Sequence, residues 1–72
     1  MNAKEWVDGF ARRIGSDPPD ASEIEAILDL AATAAHSSER TAAPVACWLA
    51  GQSGRPLDEL KAVAEEIGGD QA

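Results

Sequence analysis

The sequence predicts an all-α fold: a compact bundle of about four short helices around a central apolar helix. Three observations predict it. Apolar residues recur at three- and four-residue spacing in four successive segments, the period of an amphipathic helix. Fifteen of the 72 residues are alanine, which loses little entropy in a helix and lets helix axes approach closely. Prolines and glycines interrupt the chain near residues 15–19, 51–56 and 68–69, between the periodic segments. The whole chain, 1–72, reads as one domain with a flexible tail at about 69–72.

The first helix is expected from about Ala3 to Ile14, with Trp6, Val7, Phe10, Ala11 and Ile14 on one stripe and Gly15 as its stop. Residues 16–21, SDPPDA, form a stiff loop, because successive prolines fix their own backbone and push Asp17 out of helical conformation. Ser22 and Glu25 then have the spacing of a capping box for the second helix. That helix buries Ile24, Ile27, Leu28, Ala31 and Ala35 and continues to His36 or a little beyond. The third helix starts near Thr41, carries Pro44 in its first turn and ends by Gly51 or Gly54. Val45, Trp48 and Leu49 form one of its faces, and Ala43, Ala46, Cys47 and Ala50 the other. A helix apolar all round is a buried one, so residues 42–50 are expected at the centre with Trp48 as core anchor. Pro56 opens the fourth helix, Asp58 and Glu59 suit its N-terminal end, and Leu57, Leu60, Val63, Ala64 and Ile67 make its stripe. Gly68-Gly69 end it.

Composition limits the function classes. A net charge of -7 disfavours binding to phosphate backbones and anionic membranes. A helix-turn-helix reader needs a basic recognition helix, whereas the last helix sets Asp58, Glu59, Glu65 and Glu66 against Lys61. No apolar run approaches the roughly 20 residues that cross a bilayer. One cysteine excludes an internal disulfide and a Cys-rich zinc framework. The N-terminal stretch lacks the basic start and apolar run of a signal peptide, which together with the free thiol favours a cytoplasmic protein.

Residues 35–51, AHSSERTAAPVACWLAG, concentrate the chemistry-bearing side chains. If the second helix runs one turn past His36, then Asp29, Thr33, His36 and Arg40 share a face with Glu39 beside them. His36, Glu39 and Arg40 are therefore the ligand-binding residues to test. Arg40 offers the fork that matches a phosphate, and such a stripe would poise His36 as a general base. The structural reading is the stronger one: His36 meets the helix C-terminal carbonyls, and Glu39 and Arg40 tie the connection closed. No catalytic residue, metal site or cofactor is expected. One His, one Cys and scattered carboxylates have no ligand spacing, and no nucleophile–base pair is visible. Ser37 and Ser38 adjoin His36 but point away from it on a helix. Cys47, mid-helix among alanines, reads as an inert small hydrophobe. Trp6 is either the packing partner of Trp48 or part of a contact surface. An acyl-carrier role fits size and charge, but Ser38 precedes Glu39-Arg40 and lacks the Asp-Ser-Leu pattern of that family.

The run Ile27-Leu28-Asp29-Leu30-Ala31, followed by Ala35-His36, Glu39-Arg40, Ala43-Pro44, Leu49 and Gly51, resembles a small actinobacterial family of unknown function. Its members occur alone or as a C-terminal extension of molybdenum-cofactor guanylyltransferase-like proteins. The likeness covers the middle third of the chain. It implies an association with molybdopterin-guanine dinucleotide biosynthesis, not an activity; the chain has no Gly-rich nucleotide loop, so any guanylyltransferase activity would sit on another polypeptide. The expected function is a non-catalytic helical accessory or protein-interaction module. A protein or a second copy of the chain is its expected partner. The alternative is a small domain binding a pterin or nucleotide phosphate through His36, Glu39 and Arg40.

Overall fold

A computed structural model describes the backbone over residues 1–70 and the side chains over residues 1–68. Four helices follow in order: α1 (Ala3–Arg13), α2 (Ala21–Ser37), α3 (Ala42–Ser53) and α4 (Leu57–Asp70). The all-α expectation holds, with no strand among the described residues.

Local chemistry explains most of the boundaries. The Asn2 side chain caps α1 by accepting the Glu5 amide at 2.8 Å. At its other end the Ser16 amide donates to the Ala11 carbonyl and the Gly15 amide to that of Arg12, a Schellman closure. This closure needs a left-handed residue, and Gly15 supplies it at φ 76°. The capping box of α2 lies two residues earlier than expected. Asp20 accepts from the Glu23 amide at 2.8 Å, and Glu23 accepts from the Asp20 amide at 2.9 Å, leaving Ser22 and Glu25 inside the helix. Thr41 is the cap residue of α3 but makes no capping bond through its side chain. Gly54, at φ 68°, ends α3 in the left-handed region.

The fourth helix does not stop at Gly68-Gly69. Glycine permits a stop without forcing one, and here Gly68 serves packing. A Cβ at that position would lie 3.3 Å from the Ser37 Cβ, so its absence lets α4 close on the end of α2. The tail expected at 69–72 thus overlaps α4 at its start, and residues 71–72 lie outside the described residues.

The helix at the centre is α2, not α3. It packs extensively against both α3 and α4, and no comparable contact joins any other pair of helices among the described residues. The four-residue connection 38–41 makes α3 the antiparallel neighbour of α2. Lys61 meets Asp29 at 3.3 Å while Gly68 meets Ser37, so α4 runs parallel to α2. Ala46, Cys47 and Ala50 of α3 are half-buried, the small-residue face that a close approach to α2 requires. The large residues of α3 point outward: Trp48 is 64% exposed and Leu49 54%. The expectation that residues 42–50 are sequestered fails for a geometric reason. Among the described residues only α2 packs extensively against α3, which leaves its bulky face without a second extensive neighbour.

The interior is correspondingly thin. Ala11 and Leu30 are the buried apolar residues among those described. The molecule is elongated, 40 × 24 × 18 Å. It exposes 5562 Å². That leaves buried only about half of the area its unfolded chain would expose, against about 60% for a compact domain of similar length.

Candidate functional site

The side chains singled out for ligand binding do not assemble. His36 is exposed in the last turn of α2, which ends at Ser37. Ser38, at φ -143° and ψ -104°, turns the chain away, so Arg40 never joins the face that carries Asp29, Thr33 and His36. Asp29 is engaged elsewhere, with Lys61. The Ser37 hydroxyl bonds back to the Thr33 carbonyl. The backbone carbonyls of Glu39 and Arg40 accept from Ala42 and Ala43, which shapes the turn into α3. Their side chains are exposed, and no side-chain hydrogen bond or ion pair links them to His36 or to the bundle among the described residues. The tie that the sequence suggested for Glu39 and Arg40 is therefore made by main chain alone.

No group of three or more metal-ligating side chains forms among the described residues. Cys47 is half-buried against α2, its Sγ 3.9 Å from the Ile27 carbonyl. Burial pushes its thiol pKa up, which favours the neutral form and suits the inert reading.

Two apolar surfaces expose the large side chains of α1, α3 and α4. The first is a groove between α3 and α4. Both helices lean on α2 without closing on each other, so Leu30 of α2 becomes a floor between them. Ala46 and Leu49 form one wall; Val63, Ala64 and Ile67 form the other. The groove holds about 470 Å³. Its rim carries Gln52, Ser53 and Arg55. The second is the outer stripe of α1. Trp6 and Phe10 stack with centroids 5.1 Å apart and an interplanar angle of 15°, an i, i+4 pair on one helical face. Trp6 is 56% exposed and Phe10 51%. Ile14 extends the stripe and is also exposed. Trp6 is thus an exposed residue stacked on Phe10 and not a core partner of Trp48.

The stripe was legible as periodicity in the sequence. The groove was not, although a signal existed: α3 has two apolar faces and α4 has one broad one, with a single helix between them to cover both. Outside these surfaces the polar groups are mostly local pairs. Lys4 meets Asp8 at 2.8 Å and Arg55 meets Glu59 at 3.0 Å, both one helical turn apart. The second carboxylate oxygen of Asp8 is buried without a partner. No helix among the described residues is long and apolar enough to cross a membrane.

The sequence signature of a domain of unknown function, DUF6457, matches residues 1–69, well beyond the middle third that carried the resemblance above. No curated protein and no solved structure matches the chain. The chain belongs to the DUF6457 family.

Proposed function

We propose that this member of the DUF6457 family is a non-catalytic interaction module that docks through apolar helix faces. The single observation behind the reading is the pair of open surfaces: the Trp6–Phe10–Ile14 stripe and the groove lined by Leu49, Val63 and Ile67. Contiguous exposed apolar surface of this kind marks interaction sites, and tryptophan and phenylalanine anchor them. The polar cluster offers less, because the side chains of His36, Glu39 and Arg40 are exposed and line neither the α3–α4 groove nor the hollow beside Ser37 and Ser38. The resemblance to an extension of molybdenum-cofactor guanylyltransferase-like proteins supplies the setting: an accessory domain beside the enzymes of molybdopterin-guanine dinucleotide assembly.

The test is an NMR titration of the isotope-labelled chain with a purified molybdenum-cofactor guanylyltransferase catalytic domain. Shifts confined to the indole of Trp6 and the methyl groups of Leu49, Val63 and Ile67 support both module and setting. Shifts confined to His36 and Arg40 would move the function to the polar cluster. An unperturbed spectrum at saturating enzyme removes the setting.

A further inference from the structure

The two apolar surfaces match each other in length, chemistry and charge. Resting on the interaction-module reading, we propose that the partner is a second copy of this chain, with α1 of each copy seated in the α3–α4 groove of the other.

Length is the first argument. At 1.5 Å per residue the Trp6-to-Ile14 stripe is about 12 Å long, and the Leu60-to-Ile67 wall of the groove is about 10 Å. Chemistry is the second. The groove lacks a helix where a four-helix bundle has one, and α1 is the helix without an extensive neighbour. Its stacked Trp6–Phe10 pair presents the rigid aromatic edge that fills such a slot.

Charge gives the direction. Arg12 and Arg13 stand beside Ile14, and Glu65 and Glu66 stand beside Ile67. None of the four has an ion-pair partner among the described residues. Laying α1 parallel to α4 of the other copy brings the two arginines to the two glutamates. The reverse direction sets them against Asp58 and Glu59 at the start of α4, where Arg55 already occupies Glu59 and only Asp58 is left to pair. The charge of -7 opposes association of the chains as wholes, so this local complementarity also selects the face.

Area is the fourth argument. A compact monomer of 7.5 kDa exposes about 4,250 Å² by the usual surface–mass scaling. This chain exposes 5562 Å². The excess is about 1,300 Å² per chain, so about 2,600 Å² for a pair, within the roughly 2,000–5,000 Å² range of obligate homodimers. Two reciprocal contacts of the same kind close a two-fold dimer and leave no open end for polymerisation.

Sedimentation equilibrium of the full chain from micromolar to millimolar concentration tests the proposal, with Phe10→Asp on the stripe and Leu49→Lys on the groove. Both side chains are more than half exposed in one copy, and circular dichroism confirms that the variants keep their helices. The expected result is a species of twice the 7.5 kDa chain mass. Each variant weakens it by at least about ten-fold. An equimolar mixture of the two variants regains association, because the Leu49→Lys chain still offers Phe10 to the intact groove of the other. The Trp48→Phe chain, whose indole is Trp6 alone, loses quenching by acrylamide as the dimer forms.

A dimer indifferent to both variants overturns this docking mode. A chain that stays monomeric with Trp6 freely quenched overturns self-association and leaves docking to another protein standing. A monomer with Trp6 shielded means that α1 closes on its own groove, which overturns both.

Discussion

Truncating Leu30 and Leu28 to alanine separates interior from surface on a single helix. The two side chains are chemically identical and two residues apart on α2, yet Leu30 is 5% exposed and Leu28 62%. Buried Leu→Ala changes cost roughly 2–5 kcal/mol, the upper values arising where a closed cavity remains. In the separate chain Leu30 floors an open groove, so water reaches the vacated space and the cavity contribution shrinks. The expected loss is therefore about 2–3 kcal/mol. A chain of this length has a total stability of about 4–11 kcal/mol, and its sparse interior puts it toward the lower end. Leu30→Ala should lower Tm by about 10–20 °C. Leu28→Ala should cost less than about 0.5 kcal/mol, the usual range for surface changes. Thermal and urea melts followed by circular dichroism, at matched chain concentration, measure both. Coincident melting curves for the two variants would refute the placement of α2 at the centre of the bundle.

Three further outcomes are expected. Gly51→Ala, with nothing near its would-be Cβ, should raise stability by about 0.5–1 kcal/mol as helix propensity predicts; Gly68→Ala should gain clearly less in the same urea titration, because Ser37 must give way. Arg40→Ala should shift stability by less than about 0.5 kcal/mol, and a loss near 2 kcal/mol would show a structural tie for its side chain. Cys47 should react with a maleimide more slowly than the same thiol in urea. Its folded pKa lies above the unfolded one, so the contribution of the neutral thiol to stability is fully present below the unfolded pKa and fades as pH rises through the folded value. Melts of the native chain and of Cys47→Ala across pH 7–11 check that sign, and native stability rising relative to the variant with pH would contradict it.

Local structure was readable from the sequence because it depends on neighbours in the chain. Gly15 ends α1 and Gly54 closes α3, each by backbone chemistry that the residue type announces, while Thr41 precedes α3 without the side-chain cap that threonine offers. The capping box was mislocated by two residues because Asp20–Glu23 and Ser22–Glu25 have the same spacing, and local pattern alone does not rank them. The error over α3 was of another kind. Uniform apolarity states that a helix should be covered, and whether it is covered depends on how many neighbours reach it. Here α4 leans on α2 without closing on α3, which left Trp48 and Leu49 exposed. The shared polar face depended on a single dihedral pair. His36 and Arg40 share a helical face only if the helix passes Ser38, and the backbone turns there.

The lone position of α1 has a dynamic consequence. Cooperative opening follows packing, and α2 is the helix locked between two others, so its amides are the last to exchange with solvent. The N-terminal helix, held by its own caps and by buried Ala11, can melt and re-form while the other three stay intact. A partner that captured it would therefore couple ordering to recognition, paying the ordering entropy at the moment of binding.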